Sequence, residues 1–218
     1  MPFTTIQLNN IPNVLSQPRF ATYLQHCNND RDKALALYQW NIELSAAFVV
    51  PLHLLEIALR NAVVESLTNV YTSNWPWDQN FILSLPSSGG YKPRQNLLSV
   101  ARMPNPTMGK VVAELKFVFW EKMFTARHDT RIWDTQLLAC FPNAPDNLNV
   151  VQLRTRIFND INTIRSLRNR IAHHEPIFYR NAQDDYDKIF ELISWRDIVT
   201  ADWMNNIQSV TRFIAERP

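Results

Sequence analysis

Residues 150–176 read VVQLRTRIFNDINTIRSLRNRIAHHEP, and this stretch decides the fold class. Val150, Leu153, Ile157, Ile161, Ile164, Leu167 and Ile171 recur at three- and four-residue steps, the period of one face of an α-helix. Pro176 ends the run, because its ring cannot continue a helix and pushes Glu175 before it toward extended geometry. The spacing therefore predicts a long amphipathic helix closed by His173 and His174. On a helical wheel Arg168 falls close to Ile161 and Ile164, at the edge of the apolar stripe. A guanidinium there is costly unless it has a partner or lines a cleft.

The same periodicity recurs on both sides of this segment. Ser16 is placed to cap a short helix over 17–27, with Pro18 in its first turn. Asn28-Asn29-Asp30 breaks the chain, and Asp30 can cap the next helix. Residues 31–71 read as one long helical stretch that Pro51 should kink or split. Further helices are expected over 110–126, 130–141, 184–195 and 200–216. Between them, about 72–109, prolines and the pair Gly89-Gly90 interrupt the pattern. This is expected to be a long loop-rich insertion with short helices near 78–85 and 94–102. The expectation is a single all-α bundle spanning residues 1–218, with additional helices around its core.

Composition narrows the function. Only three glycines occur in 218 residues, so neither a G-x-G-x-x-G fingerprint nor a Walker phosphate loop can be built. Cys27 and Cys140 stand far apart outside any C-x-x-C pair, and Cys27 beside His26 is too little for a zinc site. They read as free thiols of a reducing, cytoplasmic compartment. No signal peptide is read at the start, and the apolar stretch 44–59 reads as too short and too polar to span a bilayer. Net charge is only +2, yet residues 150–180 carry six arginines against Asp160 and Glu175. Arginine's planar fork suits phosphate.

The segment Arg165-Ser166-Leu167-Arg168-Asn169-Arg170-Ile171-Ala172-His173-His174-Glu175-Pro176 resembles the active-site signature of Abi-like (abortive infection) proteins of the HEPN superfamily. That signature is an arginine, a polar residue, then a histidine four to six positions beyond the arginine. Here Arg168, Asn169 and His173 fill the pattern, and His174 also satisfies the spacing. The stretch His53-Leu54-Leu55-Glu56-Ile57-Ala58-Leu59-Arg60-Asn61 is similar to an earlier helix of that family, and residues 110–120 resemble its middle helix. The likeness frames roughly residues 35–215. It implies a HEPN-like bundle with metal-independent endoribonuclease activity, needing no cofactor and acting on RNA in an antiphage or toxin system. It also implies a homodimer with two motifs across a cleft, and possible service beside an antitoxin or other defence partner. A tyrosine two positions after the motif histidine marks a subgroup with a nucleotidyltransferase antitoxin. Glu175 stands there instead, so that partner is not implied.

The chemistry explains the residue types. Attack by an RNA 2′-hydroxyl on the adjacent phosphate needs a proton acceptor, a proton donor and positive charge on the phosphoryl oxygens. Imidazole can take either proton role near neutrality, and arginine supplies the charge. Arg168 is expected to bind phosphate, His173 to transfer protons and Asn169 to orient one of them. His174, Arg170 and Arg165 are expected to contact RNA or support the site, with Glu56, Arg60 and Asn61 behind it. Glu56 and Arg60 also read simply as an i,i+4 ion pair. Positions 168 and 173 differ by about 140° on an ideal helix, so one helix assembles the site poorly. Two copies at a twofold interface, or a loosened last turn before Pro176, would resolve this. The alternatives are a non-catalytic HEPN-like module that binds RNA or protein, and a structural helical protein. The last predicts a buried, fully paired Arg168 and no cleft beside His173.

Overall fold

A computed structural model describes residues 3–218, and no strand occurs among them. The helices are α1 (Thr5–Leu15), α2 (Gln17–His26), α3 (Arg31–Ala47), α4 (Val49–Tyr71), α5 (Gln79–Ser84), α6 (Pro93–Ala101) and α7 (Met108–Glu114). They continue with α8 (Phe117–Met123), α9 (Asp134–Cys140), α10 (Val150–Ala172), α11 (Ala182–Arg196), α12 (Ile198–Ile207) and α13 (Val210–Ala215). The all-α class is as the periodicity predicts, but the chain is cut into more and shorter pieces.

Helix α10 lies along the core, with Leu153, Ile157, Ile161, Ile164 and Leu167 all buried. Asn149 and Gln152 form a reciprocal capping box at its start, satisfying two otherwise unpaired N–H groups. Helix α10 packs against α8, α9 and α11, while α4 packs against α8, α9 and α11 from the other side. Burying five such faces together is what each amphipathic stripe requires.

The long apolar run bends at Phe48, upstream of the expected break. Pro51 falls in the first turn of α4, where its missing N–H is one of the helix's free donors anyway. By length and composition alone the longer run Arg31–Tyr71, which contains the apolar stretch 44–59, would qualify as a membrane span. In this fold Leu44, Phe48, Leu55, Leu59 and Val63 are core residues.

Other boundaries move for physical reasons. Helix α1 had no predicted counterpart; Thr4 and Gln7 cap it reciprocally. Ser16 precedes α2 as expected, but at φ 82° its side chain makes no capping bond. Asp30 does cap α3, its Oδ1 accepting from the Lys33 N–H at 3.1 Å. The expected helix 110–126 divides at Leu115 and Lys116, whose extended ψ angles turn Leu115 into the core. The segment 130–141 begins in a π-helical turn, Asp129–Trp133, before α9. The segment 200–216 divides at Gln208-Ser209.

The insertion is part of the core. Trp75, Phe81, Leu85, Leu97 and Val100 are buried, with Trp75 edge-on to Phe81 at 5.6 Å. Trp77 donates from Nε1 to the Ala101 carbonyl at 3.1 Å, and Arg94 Nε donates to the Leu85 carbonyl at 2.9 Å. Both tryptophans are thus anchored within the insertion.

Candidate nucleic-acid groove

Helix α10 stops in a Schellman motif. The His174 N–H donates to the Ile171 carbonyl at 3.0 Å, and the Glu175 N–H donates to the Arg170 carbonyl at 2.8 Å. The position that turns left-handed is His174, at φ 55°, where glycine is the usual occupant. The chain then runs back under α3. Buried Asn41 accepts through Oδ1 from the Ile177 and Phe178 N–H groups, at 2.7 and 3.1 Å. That pair of hydrogen bonds fixes the loop beside His173.

On one side of this turn lies an open groove of about 660 Å³, lined by Asn162, Thr163, Arg165, Ser166, Asn169, Arg170, His173, Glu175 and Arg180. A second depression of about 440 Å³ continues it, between α4, the α7–α8 junction and α10. Glu56, Lys116, Phe117, Arg168 and Asn169 line that part. Arg165 and Asn169 belong to both depressions. The wheel argument is thus seen in three dimensions: Arg168 and His173 occupy neighbouring hollows, with Asn169 between them.

The cations of the groove are held differently. Arg165 forms an ion pair with Glu121, whose carboxylate is fully buried and also takes Lys122 Nζ at 2.7 Å. Arg180 grips buried Asp185 with two nitrogens, at 2.7 and 2.6 Å. Arg170 donates to the Pro176 carbonyl at 3.1 Å, pairs with Glu175 at 3.3 Å and stacks over Tyr179 at 4.8 Å. Arg168 is exposed and has no hydrogen-bond or ion-pair partner among the described residues. It is therefore the cation of α10's last two turns left free for an incoming anion. Its exposure removes the reading of a buried, fully paired Arg168, and the groove at His173 removes the other half of that reading.

The remaining expected residues divide. Glu56 faces the depression beside Arg168. The expected Glu56–Arg60 ion pair is not formed; Arg60 Nε is buried without a partner, and Asn61 is exposed on α4 outside the groove lining. His174 faces away from His173, into a separate pocket with Arg19, Tyr23 and Tyr38. His128 is buried as an isolated structural residue, its titration pushed down to about 4 by burial and then by Arg127 and Arg131.

Three contributors escaped the sequence reading: Lys116, Glu121 and Asn41. Glu121 had a signal, being a single carboxylate inside the aromatic run Phe117-Val118-Phe119-Trp120 and Met123-Phe124. A carboxylate in so apolar a helix must meet a cation. Lys116 and Asn41 carried none, since their roles depend on a helix break and a distant loop. Among the described residues no group of three or more His, Cys, Asp or Glu side chains is placed to hold a metal ion. Compared with known proteins, the chain matches no protein-family model, no curated protein and no solved structure.

Proposed function

We propose that this chain is a metal-independent endoribonuclease of the HEPN type, related in its motif to Abi-like proteins. The observation that carries the reading is an exposed, unpaired Arg168 in a groove continuous, through Asn169, with the hollow of His173. Arg165, Arg170 and Arg180 on the same wall are each held by a carboxylate, so they contribute positioned N–H groups while Arg168 supplies the unpaired charge. In this reading Arg168 holds the non-bridging oxygens of the scissile phosphate. The 2′-hydroxyl gives up its proton as its oxygen attacks phosphorus, and the 5′-oxygen leaves with a proton delivered to it. His173 carries one of these transfers, water or the His173 of a second copy carries the other, and Asn169 orients the reacting hydroxyl. The products are a 2′,3′-cyclic phosphate and a 5′-hydroxyl end.

Separation of Arg168 and His173 into adjacent hollows favours a homodimer in which the two copies of the groove face each other, so that each phosphate meets groups from both. Cytoplasmic action within a defence or toxin system, with a possible antitoxin, belongs to the same proposal.

The test is cleavage of labelled RNA by purified protein in excess chelator, with Arg168→Ala and His173→Ala compared. Cleavage with cyclic-phosphate ends, lost in both variants by about a hundredfold or more, is the expected result. Equal activity in the variants, or none in the wild type, overturns the catalytic reading. The alternative of a non-catalytic RNA-binding module rests on the same arginines; it predicts binding that weakens steeply with salt and no new RNA ends.

A further inference from the structure

The turn that ends α10 has a second side. Behind His174 lies a pocket of about 160 Å³ between α2, α3 and the turn, lined by Arg19, Tyr23, Tyr38, His174, Glu175 and Pro176. Glu175 lines this pocket and the groove as well, so the two cavities are opposite faces of one wall.

We infer that this pocket is a nucleotide subsite, taking one nucleoside-phosphate unit of the strand that crosses the groove. The strand part of the inference rests on the proposed RNA reading, whereas the nucleotide part rests on the pocket's own chemistry. Tyr23 and Tyr38 stand 4.7 Å apart ring to ring, and Tyr23 stands 4.9 Å from Phe178. Those contacts bury Tyr23 and hold Tyr38 in place, and the half-buried Tyr38 and Pro176 offer the apolar surface for a base. Tyr23 is 3% exposed, and its hydroxyl has no hydrogen-bond partner among the described residues. Burial pushes that hydroxyl's titration upward, so it remains a neutral donor and acceptor for a base edge.

The mouth of the pocket is cationic. Arg19 donates one N–H to the His174 carbonyl at 3.2 Å, which anchors the guanidinium and leaves its other donors for a phosphate. Glu175, the one acid present, is already engaged by Arg170. The volume is below the ~300–1,000 Å³ of sites for drug-sized ligands, so the pocket encloses no more than a base and leaves ribose and phosphate at its mouth beside Arg19.

His174 supplies a further argument. Its left-handed backbone is a strained choice for any residue with a Cβ, and glycine would relieve it. Its ring stands exposed at the pocket, where it can meet a ligand.

The experiment is calorimetric titration of the full chain with 5′-AMP, 5′-GMP, 5′-CMP and 5′-UMP, with inorganic phosphate and the corresponding nucleosides as separate arms. At least one mononucleotide should bind about tenfold or more tightly than phosphate or its own nucleoside. Arg19→Ala and His174→Gly should each weaken that binding about tenfold. His174→Gly should at the same time raise the melting temperature, which excludes unfolding as the cause. The affinity of a short RNA should fall in the same two variants. No preference for nucleotide over phosphate, or a His174→Gly protein that is stabilised and binds unchanged, overturns the subsite. Loss of mononucleotide affinity with RNA affinity untouched overturns its place on the strand. Arg168→Ala separates the two readings: loss of RNA affinity there tests the groove, while the mononucleotide result decides the pocket regardless.

Discussion

His173 and His174 are adjacent in the chain and face opposite cavities, His173 the arginine-lined groove and His174 the tyrosine pocket behind it. The Schellman turn produces this split, because His174 itself takes the left-handed conformation and its side chain leaves the backbone away from that of His173. Spacing alone admits either histidine as partner to Arg168. The turn leaves only His173 on the groove that shares Asn169 with Arg168.

Arg168→Ala should leave folding intact, since the side chain is exposed and unpaired: a change within about 0.5 kcal/mol in chemical denaturation is expected. The same variant should lower the slope of log affinity for RNA against log salt by about one unit. An unchanged slope with unchanged affinity would show that Arg168 meets no phosphate.

Arg165→Ala should be a costly arginine substitution. It leaves the fully buried Glu121 with Lys122 as its one remaining cation, and a loss of about 3 kcal/mol is expected. Arg165→Ala with Glu121→Leu should recover much of that loss, because an apolar residue then fills the site. A double variant no more stable than Arg165→Ala argues against the pair as the source.

Asn41→Leu should destabilise by about 2–4 kcal/mol, because two buried backbone N–H groups lose their acceptor. Amide exchange at Ile177 and Phe178 should accelerate more than exchange in α10. Uniform acceleration would mean that the bond supports the whole fold and not this loop.

Acid should reveal His128. The unfolded chain takes up a proton near its ordinary 6.5 and the folded chain only near 4, so stability is complete above the first value and falls as pH drops toward the second. The loss over that window is about 3 kcal/mol, and His128→Leu should flatten it. An acid limb as steep in the variant as in the wild type would assign the effect to other groups.

Trp75→Ala should lower stability by about 3–5 kcal/mol in one cooperative transition, since the ring is fully buried among the residues of the insertion. A separate early transition would mark the insertion as an independent unit.

Much of the fold was readable because helical periodicity is local. The stripe from Val150 to Ile171, the break at Asn28-Asn29-Asp30 and the short helices of the insertion all follow from spacing and cap residues. The breaks at Leu115-Lys116 and Gln208-Ser209 were not readable, since no proline or glycine marks them. Tertiary burial of Leu115 overrides a helix that propensity alone would continue. Likewise Glu56 and Arg60 have ideal spacing for an ion pair, yet Glu56 faces a cationic depression supplied by two other segments.

By itself the sequence determined an all-α chain and a long helix that ends at His173 with arginines in its last turns, because period, caps and proline act within a few residues of chain. Only the tertiary structure decided which arginines are spoken for. Glu121, Asp185 and Glu175 engage Arg165, Arg180 and Arg170, and Arg168 is left free. For Arg165 the partner lies on another helix, and for all of them the choice depends on burial. Charge pairing is set by distance and dielectric in three dimensions, which spacing along the chain does not encode.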